Sequence, residues 1–234
     1  MNDLIKGEVI GVDEGMATIK VAIPSNIEAW CKQHPKEVVV RFLDSRKASY
    51  EQIKKAHALV NDIADWIGDS PEWVKLTLKK KFILENVDTM ESDIFSFKDC
   101  SVETARLFIT FLIDLVVQNN IPTRRPMWEQ CEDIHAYIYA CCMNKTCCVC
   151  GRKGVDLHHV IPLGMGADRK SKPQLGYPVL PLCREHHTIM HTDSKKFLER
   201  FHLEPIPLTD DIAKFYGFSK EARQQAKEFD KDKD

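Results

Sequence analysis

The chain has 234 residues, of which 44% are hydrophobic and 29% charged, and its formal net charge is −2. This composition excludes a disordered or collagen-like chain, and the near-neutral charge excludes a uniformly basic nucleic-acid-binding coat. The length is enough for one large domain or two small ones. The chain shows neither a signal-peptide pattern nor an apolar run that could span a bilayer, which predicts a soluble protein of the cytoplasm.

The first 45 residues carry mainly strand patterns. Segments 5–11 and 16–23 predict two strands, joined by a turn at Asp13-Glu14-Gly15 to give a hairpin. Residues 37–43 predict a third strand, and a short helix is predicted between them over residues 26–34.

Helical periodicity begins at Ser49. Apolar residues then recur at helical spacing as far as Gly68, which predicts the end of the first helix. Ser70 precedes a proline and a glutamate, a typical start for the second helix. A third helix is predicted over residues 102–118. The first half of the chain is therefore predicted to be α+β, a small sheet followed by helices.

The region around residues 119–126 contains two prolines among polar residues and predicts a linker, and a helix is expected to follow over about 127–143. The sequence therefore divides into four predicted parts. These are a first domain at 1–120, a linker and lead-in helix at 121–146, a second domain at 147–205, and a C-terminal tail at 206–234.

The second half carries most of the nine cysteines of the chain. An odd cysteine count without a signal peptide argues against a disulfide framework and favours metal binding. Two matched pairs, Cys147-x-x-Cys150 and Cys183-x-x-His186, supply the four ligands of a closed tetrahedral zinc site. Cys148 lies between two of them and is an alternative ligand.

Four further histidines are interleaved with these ligands. His187 and His191 are four residues apart, so on a helix they share one face, whereas His186 points about 100° away from His187. His158 and His159 lie on a predicted strand and point to opposite sides. One of the two can join a second metal site while the other acts as a general base. The alternative is a single zinc-stabilised module without chemistry.

The order Cys-x-x-Cys-Gly, Leu-His-His-Val-Ile-Pro and Leu-Cys-x-x-His-His-x-x-x-His, within about residues 145–193, resembles the HNH endonuclease family. The resemblance implies a ββα-metal fold in which two strands and a helix surround one divalent ion, Mg²⁺, Mn²⁺, Ni²⁺ or Zn²⁺. It also implies that His158, His187 and His191 bind this ion and that His159 is the general base. The structural zinc would be held by four residues: Cys147, Cys150, Cys183 and His186.

One position departs from the family pattern. Pro178 stands where the family has the asparagine that braces the loop between the strand and the helix. Within that loop, Arg169, Lys170 and Lys172 are candidates for contacts to DNA phosphates, and an ordinary solvated loop is the alternative.

The first half is similar to the phage recombination mediator family called Orf or NinB. The similarity lies in a strand with a basic end, Val38-Val39-Val40-Arg41, followed by a Ser-x-acidic-Gln helix that begins at Ser49. It departs at Ile53, where the family tends to have asparagine. The resemblance implies that this half binds single-stranded DNA and a single-strand-binding protein, as a homodimer.

The residues themselves offer a basic track in the first half: Arg46, Lys47, Lys54 and Lys55. Tyr50, Trp66 and Trp73 can stack on bases, but for Trp66 the pattern favours a position in the core. Together with these features, the two resemblances imply a metal-dependent DNA endonuclease with an accessory single-stranded-DNA-binding domain, acting in phage recombination. The alternative is a non-catalytic DNA-binding mediator whose zinc module is structural.

Overall fold

The computed structural model describes residues 7–13, 16–21, 46–86, 95–163 and 172–226. Its contacts divide the chain into two compact units, residues 1–43 and residues 44–234, and each is described by itself. Within the described ranges, no helix is both long enough and apolar enough to cross a membrane.

The described part of the first unit is a β-hairpin. Strand β1 (Gly7–Asp13) pairs antiparallel with β2 (Met16–Val21), and the register shifts between Val9 and Gly11. The predicted hairpin is thereby confirmed. The predicted helix at 26–34 and the predicted strand at 37–43 lie outside the described residues.

Three helices begin the second unit: α1 (Tyr50–Ile67), α2 (Pro71–Glu85) and α3 (Val102–Asn119). A capping box starts α1, because the Ser49 hydroxyl accepts from the Gln52 N–H and the Gln52 side chain accepts from the Ser49 N–H. Gly68 ends α1 in the left-handed conformation, with φ of 81°. These local signals confirm the helices predicted from the sequence.

Aromatic side chains form the core between these helices. The Phe108 ring is fully buried and packs against Phe82, Phe95 and Phe97 at centroid distances of 5.2, 5.5 and 5.3 Å. Two of these pairs meet edge to face and the third is tilted, geometries that add to the stabilisation from burial alone. These aromatic contacts form the part of the core that the helices enclose.

Two helices lead from α3 to the cysteine-rich region: α4 (Met127–Gln130) and α5 (Ile134–Met143). The single helix predicted over 127–143 is wrong, since the chain leaves the helical path at residues 131–133. The physical reason is Asp133, whose carboxylate accepts from the Ala136 N–H at 3.0 Å and caps a new helix.

A second, three-stranded sheet follows, with the antiparallel order β3 (Asp156–His159), β4 (Pro178–Leu182) and β5 (Ile206–Pro207). Helix α6 (Arg184–Thr192) begins one residue after β4 ends, and α7 (Ser194–Phe201) and α8 (Asp210–Phe215) come later. Four of the five residues of β4 are buried, so this strand is the centre of the local core.

The described fold is therefore mixed α and β, with small sheets and helices, as predicted. One cluster of buried apolar residues runs from α1 to α8. The boundaries predicted at residues 120 and 205 stay predictions. The residues that the sequence pattern assigned to a C-terminal tail, 206–226, supply β5 and α8, and they hydrogen-bond to the segment that leads into β4.

Candidate metal centres

The four zinc ligands predicted from the sequence lie together. A tight turn presents the first pair, with the Gly151 N–H donating to the Cys147 carbonyl at 2.9 Å and Gly151 at a φ of 73°. Cys183 caps the N-terminus of α6, which places His186 in the first turn of that helix. The four ligand atoms all lie within 4.8 Å of one another.

The spacing of these atoms fits a tetrahedral zinc ion. Zinc–sulfur bonds of about 2.3 Å at tetrahedral angles separate two sulfurs by roughly 3.8 Å. The sulfurs of Cys150 and Cys183 are 3.7 Å apart, and the Cys147 sulfur lies 3.6 Å from His186 Nδ1. Burial raises the pKa of the Cys147 thiol to about 12, so zinc binding there would release a proton.

Cys148 is turned away from this cluster. Its backbone N–H donates to the Pro181 carbonyl, and its own carbonyl accepts from the Tyr137 hydroxyl. The side chain is fully buried, and burial raises the pKa of its thiol well above the ordinary value. Cys148 is thus a neutral core side chain, and it is not among the four clustered ligand atoms.

A second cluster joins His158 on β3 to His187 and His191 on α6. The three ring centroids form a nearly equilateral triangle with sides of 4.7, 4.8 and 4.8 Å. Burial, together with the two neighbouring imidazoles, lowers the pKa of His158 to about 4. Neutral imidazole is the form that binds metal. Because His158 is buried and His191 exposed, the cluster is closed on one side and open to solvent on the other.

Adjacent histidines face opposite ways, as the strand and helix geometries predict. His186 reaches the cysteines while His187 reaches His158. His159 turns away from the imidazole triangle, and its ring lies near Tyr177 and Phe218, at centroid distances of 6.1 and 6.3 Å. One short helix therefore contributes to both clusters.

Asp156 is a site residue that the sequence reasoning missed. Its carboxylate lies 4.0 Å from His187 Nδ1 and 3.8 Å from the Arg184 guanidinium. The signal was available, because Asp156 and His158 are two apart on a strand and therefore share a face. Phe218 was missed as well, and no sequence signal pointed to it, since it is 59 residues away from His159.

Most of the predicted DNA-contacting residues in the described ranges have ion-pair or hydrogen-bond partners. Three lysines of the first half lie in ion pairs, Lys47 with Asp99, Lys54 with Glu51 and Lys55 with Glu132, at 3.1, 2.8 and 2.5 Å. Exposed pairs such as the first two are easily exchanged for other partners. Of the remaining predicted contacts, Arg46 is exposed and Lys172 donates to the Leu163 carbonyl. Arg169 and Lys170 lie outside the described residues.

The aromatic residues predicted to stack on bases are exposed. The exposed fraction is 72% for Tyr50, 50% for Trp66 and 52% for Trp73. The core position that the sequence pattern favoured for Trp66 is therefore wrong.

Comparison with known proteins gives a family match over most of the chain. The family model described as "Putative HNHc nuclease" matches residues 20–218. The uncharacterized protein YdfU of Escherichia coli (strain K12) is 40% identical over 58 residues, which is 25% of this chain and 16% of YdfU. The similarity thus spans less than a fifth of that relative. No solved structure matches the chain.

Proposed function

The chain belongs to the family described as "Putative HNHc nuclease", and from this premise we propose that it is a metal-dependent endonuclease that hydrolyses phosphodiester bonds in DNA. The observation that carries the proposal is the convergence of His158, His187 and His191 on one point that is open to solvent. We also propose that β3, β4 and α6 are the two strands and the helix of a ββα-metal site.

In the proposed reaction the three clustered imidazoles bind the ion from one side. The side of the ion that faces solvent is then available to the substrate. A divalent ion held there, Mg²⁺, Mn²⁺, Ni²⁺ or Zn²⁺, supplies positive charge that stabilises the phosphate and the leaving oxygen. His159 takes the proton from the attacking water.

The second cluster has a structural role in this proposal. Cys147, Cys150, Cys183 and His186 hold a zinc ion that fixes the start of α6 to the cysteine turn. That role is supported by the spacing of the ligand atoms and by a donor set without an open position for substrate.

The first half is proposed to bind single-stranded DNA as an accessory activity in phage recombination, as a homodimer and with a single-strand-binding protein as partner. Exposed Trp66 and Trp73 support this, since bases stack on such side chains with about 1–3 kcal/mol each. Arg46, Lys47, Lys54 and Lys55 are the proposed phosphate contacts there, and Arg169, Lys170 and Lys172 are those proposed for the second half. The host cytoplasm is the proposed location.

A cleavage assay separates this function from that of a non-catalytic mediator. Wild type, His159→Ala and the control His135→Ala are incubated with plasmid and with single-stranded circles, each with Mg²⁺, Mn²⁺ or Ni²⁺. His135 is exposed and pairs with Glu204, outside both metal clusters. We expect cleavage by wild type and by His135→Ala, and at least a hundredfold loss in His159→Ala. DNA binding without cleavage under every ion would support the mediator instead.

A further inference from the structure

The backbone fixes the position of Phe218. Helix α8 ends in a Schellman motif, in which the Gly217 N–H donates to the Lys214 carbonyl and the Phe218 N–H donates to the Ala213 carbonyl, at 3.0 and 2.9 Å. Gly217 adopts the left-handed conformation that the motif requires, with φ of 74°. Phe218 therefore leaves the helix in a defined direction, toward His159.

The residues after Phe218 are bonded to the segment that precedes β4. The Gln174 N–H donates to the Ala222 carbonyl and the Leu175 N–H to the Gln224 carbonyl, at 2.8 and 3.1 Å. In the other direction, the Ala226 N–H donates to the Leu175 carbonyl at 3.1 Å. We call residues 218–226 the C-terminal strap. The family match ends at residue 218, so the remainder of the strap lies beyond it.

The His159 imidazole lies between the Phe218 ring of the strap and the ring of Tyr177, the residue that precedes β4. The Phe218 ring is nearly parallel to it, with an interplanar angle of 17°, and the Tyr177 ring meets it at 71°. Tyr177 is itself fixed, because it is buried and its carbonyl accepts from the Leu208 N–H at 2.8 Å. The backbone that carries each of the two rings is thus held by hydrogen bonds, and the rings lie where they can restrict the orientations of the imidazole.

We infer that Phe218 is a positioning residue of the nuclease reaction, through which the C-terminal strap holds the His159 imidazole in the orientation that accepts the proton from water. The inference rests on the proposed function of His159. A free histidine side chain has about six rotameric states, three at χ1 and two at χ2. If contact with the Phe218 ring selects one of these states, removal of the ring lowers the population of the reactive His159 orientation about sixfold.

The test compares Phe218→Ala with Phe218→Tyr, which keeps the ring, and with Phe215→Ala as a matched control. Phe215 is three residues earlier, exposed, and its ring faces Lys145 and Tyr216. We expect Phe218→Ala to lower kcat about sixfold with KM within twofold of wild type. Phe218→Tyr and Phe215→Ala should retain wild-type kcat. Thermal melting and zinc content are recorded for every variant to establish that each is folded.

Two further measurements separate positioning from general damage. Phe218→Ala is combined with His159→Ala, and we expect no further loss of residual activity, because a residue that acts through His159 has nothing left to act on. The His159 ring-proton resonance, assigned by its absence in His159→Ala, is expected to shift in Phe218→Ala and to stay unchanged in Phe215→Ala.

Equal kcat in Phe218→Ala and wild type, or losses that multiply in the double variant, would overturn the inference. Should His159→Ala cleave as well as wild type, the proposed base is wrong and the positioning role falls with it. In that case the resonance shift still shows whether Phe218 contacts the His159 ring in solution. A wrong assignment of the base is thereby distinguished from the absence of the Phe218 contact.

Discussion

The carboxylate of Asp156 offers a test of the open metal site that does not depend on cleavage. A metal-binding histidine commonly donates its second ring N–H to a carboxylate, which fixes the ring and raises its basicity as a ligand. Asp156 is 4.0 Å from His187 Nδ1, a small side-chain rotation away from such a bond. The substitution Asp156→Asn keeps the shape of the side chain and removes its charge.

The magnitude follows from the distance and the exposure. The metal-binding imidazole is neutral, so Asp156 acts on the charge of the divalent ion on the far side of the ring. A doubly charged ion about 8 Å from a carboxylate interacts with it as strongly as two unit charges 4 Å apart, by about 1 kcal/mol in water and by about 4 kcal/mol at an effective dielectric constant of 20. The Asp156 side chain is 61% exposed, which places the effect near the lower limit. We expect a loss of about 1–2 kcal/mol, which corresponds to a metal affinity five- to thirtyfold weaker.

The assay is calorimetric titration with Mn²⁺ or Ni²⁺ of protein whose cysteine cluster has first received one equivalent of Zn²⁺. Glu199→Gln is the matched control, because it removes an exposed carboxylate from the neighbouring helix α7. A Kd in Asp156→Asn equal to that of wild type and of the control would refute the orienting role of Asp156.

Two other predictions concern stability. Cys183→Ser should bind less zinc than wild type and melt about 10 °C lower, whereas the control Cys131→Ser should keep its zinc, as measured by metal analysis and thermal unfolding. Burial raises the pKa of the Asp114 carboxyl from 3.8 to about 6. Ionisation of this carboxyl therefore destabilises the folded state above pH 6, whereas below pH 4 the carboxyl is protonated in the folded and the unfolded state and this destabilisation is absent. Asp114→Asn should therefore be about 1–2 kcal/mol more stable than wild type at pH 7, after allowance for partial exposure, and the difference should vanish at pH 4 in denaturant titrations. A difference independent of pH would contradict the role of burial.

The features that the sequence predicted well are those written in neighbouring residues. Ser49 and Gln52 form a capping box within one turn, and Gly68 ends the same helix, so both boundaries of α1 follow from local chemistry. Most members of the two clusters were also accessible, because they form ligand pairs three or four residues apart in sequence, whereas the choice of His158 over His159 came from the family resemblance. Elements of this kind need no knowledge of the tertiary fold.

The features that were missed depend on contacts between distant segments. Strand β5 has only two residues, too few for a periodic pattern, and it exists because Ile206 pairs with Val179. The approach of Phe218 to His159 likewise follows from the Schellman motif and the strap, neither of which forms a pattern with β3. The break at residues 131–133 was missed for a different reason, since apolar residues on both sides continue a helical spacing that Asp133 interrupts.

The sharing of α6 has a physical consequence for both clusters. A helix of nine residues is too short to be stable alone in water, so packing and end contacts must hold it. Met190 is buried beneath it, and Cys183 and His186 tie its first turn to the cysteine turn. His187 lies one residue after His186, so a displacement of that turn by an ångström moves an imidazole of the open cluster by a similar distance. In the proposed function, zinc binding by the closed cluster would therefore also fix the position of His187 in the open one, in keeping with two ligand sets that are interleaved in sequence.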